Sequence, residues 1–125
     1  MADWLPVDVA FVLDDHQNPG HHLYNDMDDS AQHHWSSLLM PQPLAPIMSR
    51  LVNDGYMHVP CGYFVGAQDN TCPWTLQESM LEGATEAGAK VRIFRADTGH
   101  SPYLSCPGKL AEMILSFAES IRANT

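Results

Sequence analysis

The sequence predicts an α/β chain built on a small parallel sheet of about two to three strands, and three observations predict it. Residues 59–122 read strand, helix, strand, helix. The first strand-like run, Val59-Pro60-Cys61-Gly62-Tyr63-Phe64-Val65, is apolar without alternation, as in a strand covered on both faces. Each strand-like run then ends in a polar loop, which is where open α/β sheets carry their chemistry.

Taken in chain order, residues 1–27 look irregular apart from a short strand in Val9-Ala10-Phe11-Val12-Leu13. Asp26, Asp28 and Asp29 can cap a helix that runs to about Leu39, with Ala31, Trp35, Leu38 and Leu39 on one face. Pro41 stops it. Pro43 or Pro46 opens a second helix with Ile47, Met48, Leu51 and Val52 as its stripe, and Asn53-Asp54-Gly55 ends it. Residues 1–57 are thus expected to be a largely helical region, and residues 58–125 a βαβα unit.

In that unit, the loop Gly66-Ala67-Gln68-Asp69-Asn70-Thr71 follows the first strand. Pro73 opens a helix carrying Trp74, Leu76, Met80, Leu81 and Ala84, and Gly88 closes it. Val91 to Phe94 form the second strand, parallel to the first because a helix crosses between them. The turn Asp97-Thr98-Gly99-His100 comes next. Pro107 opens the last helix, where Leu110, Met113, Ile114, Phe117 and Ile121 recur at helical spacing.

Bulk properties exclude several functions. Six Lys and Arg stand against fifteen Asp and Glu, a formal charge of −9. That disfavours nucleic acid and anionic membrane surfaces as partners and favours solubility. No run approaches the ~20 apolar residues of a membrane span, and the N-terminus lacks a basic leader. The odd set Cys61, Cys72 and Cys106 fits reduced thiols in a cytoplasmic protein.

The chemistry rests on two loops. Asp69 lies on the first and His100 on the second, so neighbouring strands bring both into one crevice. A carboxylate on one ring nitrogen fixes the imidazole tautomer and leaves the other nitrogen as a general base. Asp97 reads as a turn residue bonding its own backbone, and Ser105 as a cap for the last helix. His21-His22 and His33-His34 invite a metal, but adjacent helical residues point about 100° apart and no familiar ligand spacing accompanies them. No metal or cofactor is expected. Tyr24, Trp35, Trp74, Tyr103 and His34 are the expected pocket lining, an aromatic surface suited to a hydrophobic small molecule.

At these residues the chain resembles the α/β-hydrolases, in particular the esterase and hydroxynitrile-lyase-like branch of fungal type. The resemblance is carried by "VPCGYFVGAQDNTCPWTLQESM" and "ADTGHSPYLSCPGKLAEMILSF", with "LYNDMDDSAQHHWSSLLMPQPLAP" similar to the lid helices. It implies that Asp69, followed by Pro73 and Gln77, is the acid loop, and that Gly99-His100-Ser101-Pro102-Tyr103-Leu104-Ser105 is the catalytic histidine turn. It covers residues 18 to 122. The chain departs from the family in holding no G-x-S-x-G elbow within its 125 residues. A truncated α/β-hydrolase-like domain is therefore expected: a lid plus the last two strands. Two parallel strands leave unpaired edges; a homodimer is the expected cover, with a partner chain carrying the first half, or a fragment that does not fold alone, as the alternatives. The resemblance makes a polyketide-like natural product the expected substrate. His100 would drive lactone or pyrone closure, dehydration or isomerisation without a serine. A non-catalytic binding remnant, or half of a split serine hydrolase, is the alternative.

Overall fold

The computed structural model describes residues 10–11, 18–40, 42–43, 49–50 and 52–123. Its elements are β1 (Ala10–Phe11), α1 (Pro19–Leu23), α2 (Asp29–Ser36), β2 (Gln42–Pro43), β3 (Cys61–Gly66), α3 (Trp74–Glu86), β4 (Val91–Ala96), α4 (Pro102–Ser105) and α5 (Pro107–Arg122).

β3 and β4 pair in parallel, in a register from Cys61 opposite Val91 to Gly66 opposite Ala96. Because strand side chains alternate, the register sorts the two faces. Phe117 of α5 lies against Gly62 and meets Phe94 edge-on at 6.3 Å. Tyr63 and Val91, on the opposite face, share a cavity wall with Met80 and Leu81 of α3. One helix therefore packs on each face, which accounts for the unalternating apolar run. Burial is deepest toward the carboxyl ends of the strands, where Val65 and Ala96 lie, and under α3 at Leu81 and Gln77.

Local chemistry sets the ends of α3. Pro73 sits at its cap and its carbonyl accepts from Leu76 and Gln77. At the other end Gly88 takes φ +101°. Gly88 N–H then donates to Thr85 and Ala89 N–H to Ala84, the paired closure that a left-handed glycine permits.

Several expectations are corrected. Residues 1–27 are not irregular throughout: Pro19–Leu23 is a short helix capped by Asn18, whose side chain accepts from His21 N–H. Five residues carry too little periodicity to reveal themselves. The next helix is shorter than expected, Asp29–Ser36, with Asp28 as its cap; Leu38 and Leu39 lie beyond it and are exposed. Of the two prolines expected to open a second helix, Pro43 instead pairs, with Gln42, antiparallel to Ala10–Phe11, and Pro46 lies outside the described residues. Ile47, Met48 and Leu51 lie outside the described residues, as do Val9, Val12 and Leu13. Val52 is 91 % exposed, not part of a buried stripe. Pro60 holds the first strand's start back to Cys61, leaving Val59 exposed, and the second strand runs on to Ala96. On α3, Trp74, Leu76 and Met80 are about half exposed. Among the described residues no helix is long and apolar enough to cross a membrane.

Candidate functional site

Two loops leave the carboxyl ends of β3 and β4 and stay locked together. Ala67 N–H donates to Ala96, and Gln68 N–H to Thr98, extending the ladder beyond the strands. Gly66 makes the approach feasible, because a Cβ there would stand 2.8 Å from the Gly99 carbonyl oxygen and 2.9 Å from that of Thr98. Buried Gln77 braces the first loop from α3, its amide donating to the carbonyls of Gly66 and Cys72. The matching Gln of the resemblance is thus a staple across the base of the acid loop.

Asp69 turns back into its own loop. Its Oδ1 accepts from the N–H groups of Thr71 and Cys72, both at 2.8 Å. That local pattern orients the carboxylate. His100 Nδ1 then lies 2.9 Å from Oδ2 and 3.0 Å from Oδ1. A carboxylate only accepts, so Nδ1 carries the proton, and Nε2 is the free base in the neutral ring. The Asp69 side chain is 9 % exposed and that of His100 36 %. The acid is therefore shielded while the base is partly open to the surface, a disposition suited to taking a proton from a bound molecule.

Around the histidine turn, Ser101 is buried, and its hydroxyl donates to Tyr103 at 3.4 Å. Burial pushes the Tyr24 phenol above its ordinary value, with Tyr103 adding to the effect. These two expected lining residues therefore lie together: Tyr24 buried, Tyr103 exposed. The other three are placed differently. His34 is exposed on α2 with its ring edge-on to Trp35 at 5.0 Å, and Trp74 is half exposed at the start of α3. Burial likewise raises the Cys72 thiol, and the Asp69 charge raises it further. Activated thiols are shifted the other way.

Two assignments change. Asp97 does not bond its own backbone; its carboxylate accepts from the Gln68 amide at 2.7 Å, another tie between the loops. Ser105 does not cap α5, whose cap position is Cys106 and lacks a side-chain bond; its hydroxyl turns back to the Ser101 carbonyl.

The α1–α2 segment contributes contacts that sequence reasoning missed. Asn25 donates to the Gln68 carbonyl at 2.8 Å, and Asp26 accepts from Gly99 N–H at 2.7 Å. Asn70 and Thr71 donate to the carbonyls of His21 and His22. Among the described residues no three His, Cys, Asp or Glu side chains cluster as a metal ion requires.

No curated protein matches the chain. A sequence model described as the alpha/beta hydrolase family matches residues 1–113. That match spans most of the 125 residues and contains both loops, with the Asp69–His100 contact at the carboxyl ends of the strands. The chain belongs to the alpha/beta hydrolase family.

Proposed function

We propose that the paired loops at the carboxyl ends of β3 and β4 form a general-base site for a hydrophobic small molecule, with His100 as the base and Asp69 as its orienting acid. The observation that carries this reading is the 2.9 Å contact between Nδ1 and the shielded carboxylate, which leaves Nε2 free on a partly exposed ring. In this reading Nε2 removes a proton from a hydroxyl, an enol or an acidic carbon, and Asp69 stabilises the imidazolium that forms. The imidazolium then returns the proton to the departing group or the product. That sequence suffices for lactone or pyrone closure, dehydration or isomerisation, where one molecule holds both reacting ends. It uses only groups present in these 125 residues, where no serine stands in a G-x-S-x-G setting. The resemblance to fungal members makes polyketide-like intermediates the first substrates to screen, and a homodimer the first assembly to look for by light scattering.

The test needs no native substrate. 5-Nitrobenzisoxazole opens when a base removes its ring C–H proton: the N–O bond breaks and its electrons become a coloured phenolate. The purified chain is expected to accelerate this opening, and His100→Ala to remove about 100-fold of the acceleration, the low end for a positioned base. Equal rates in the two proteins overturn the reading.

A second reading has its own observation. Among the described residues the sheet has two strands only, and α3 and α5 leave Trp74, Leu76, Ile114 and Leu115 at least half exposed. That pattern suits a sheet that continues elsewhere. There the dyad would activate a serine on another chain. Covalent labelling of a co-purifying serine by a phosphonofluoridate favours this reading; a chain that turns over the probe alone favours the first.

A further inference from the structure

We propose that Asp26 is a positioning residue for the dyad: it acts through Gly99 to set the direction in which His100 leaves the turn. This rests on the general-base reading of His100.

Only one of the three carboxylates in the acidic run Asp26, Asp28 and Asp29 is the cap of α2. That one is Asp28, which accepts from Ala31 N–H at 2.9 Å. Asp26 lies two residues earlier, on the linker from α1. Its Oδ2 reaches across 73 residues of sequence to Gly99 N–H at 2.7 Å, a partly buried bond. Gly99 immediately precedes His100. A glycine has the widest conformational freedom of any residue, so this position most needs an external hold. The fit is close as well: a Cβ on Gly99 would stand 2.5 Å from Asn25 Oδ1 and 2.7 Å from Asp26 Oδ1.

The neighbouring residue does the same for the other loop. Asn25 donates to the Gln68 carbonyl at 2.8 Å, next to Asp69. Two consecutive side chains on one linker thus each hold one of the loops that form the dyad. Asn70 and Thr71 fasten the acid loop to the His21 and His22 carbonyls at 3.0 and 2.8 Å. The α1–α2 segment is therefore a clamp on the dyad's geometry, and Asp26 is its contact with the histidine side. A shift of about 1 Å in a catalytic group can cost about 100-fold in rate, so a backbone hold at this point has leverage.

The experiment reads the His100 tautomer in the full chain, by nitrogen-15 chemical shifts of labelled histidine, alongside the 5-nitrobenzisoxazole rate. Wild type should show one neutral tautomer, Nδ1 protonated. Asp26→Ala should add the Nε2-protonated tautomer and lower the rate by about 10- to 100-fold. Asp26→Asn keeps an acceptor for Gly99 N–H and should restore the single tautomer. If circular dichroism shows that Asp26→Ala does not fold, Asp26→Ser, too short to reach Gly99, takes its place. An unchanged tautomer in the Ala or Ser variant overturns the proposal, as does Asp26→Asn behaving like Ala. The tautomer is read without substrate. A wild type that turns over no probe therefore counts against the general-base reading alone.

Discussion

The carboxyl end of the sheet and its helical flanks are held by different means. At the carboxyl end, loops from β3 and β4 and the α1–α2 linker meet through hydrogen bonds that cross long stretches of sequence, and Gln77 of α3 braces the first loop. Ser101, Thr98, Val65 and Gln77 are buried there. On the flanks, α3 and α5 touch the sheet along one stripe each and keep large apolar side chains exposed: Ile114 at 58 % and Leu115 at 63 %. A cavity of about 500 Å³ also opens between Tyr56, Tyr63, Met80 and Val91. Long-range hydrogen bonds therefore concentrate at the site, although Asn25 Oδ1, Asp26 Oδ1 and Thr98 Oγ1 are buried there without a partner among the described residues, while apolar coverage is incomplete around it. The two regions differ in the kind of contact that holds them: polar ties between distant segments at one, partial apolar packing at the other.

The largest stability effect that sharpens this contrast is at Leu81, the best-buried leucine of α3. Leu81→Ala should lower the unfolding free energy by about 2–5 kcal/mol, measured by urea titration. A smaller loss, about 1–3 kcal/mol, is expected for Gly66→Ala, because its Cβ would press on two backbone oxygens. That variant should also disturb the His100 tautomer, since the two loops would part. Alkaline titration comes next. Burial raises Tyr24 and Tyr63 above the ordinary 10.0 of a phenol, Tyr24 further through Tyr103 and Tyr63 further through Cys72 and Asp69. The unfolded chain therefore loses these protons first. Their contribution is whole below pH 10 and is lost as pH rises through the higher folded values. The urea midpoint should hold to about pH 9.5 and fall above it. The smallest change is expected from Leu115→Ala on the open face of α5, within about 0.5 kcal/mol. A loss there as large as at Leu81 would mean that Leu115 is covered in solution.

Much of the strand-end geometry was legible because it follows from period and order. An apolar run, a crossover helix and a second apolar run put two loops on one edge, and Asp69 and His100 followed. What was not legible depends on partners far away in sequence. Asp26 stands in a run that looks like capping material, and nothing local separates it from Asp28. Asp97 had an equally ordinary turn reading, and its partner Gln68 none, until the loops were side by side. The apolar residues Trp74, Leu76 and Met80 marked a helix, but their presence does not say whether anything covers them, and each is about half exposed. The five-residue α1 was too short to show a period at all, yet its His21 and His22 carbonyls hold the acid loop.

The central claim is that Asp69 and His100 act as one unit, and a double-variant cycle on 5-nitrobenzisoxazole opening tests it most directly. Residues that act as a unit are strongly non-additive. The account predicts that Asp69→Ala and His100→Ala each slow the reaction, and that the double variant is no slower than His100→Ala alone. Effects that multiply, or a His100→Ala protein as fast as wild type, would contradict it.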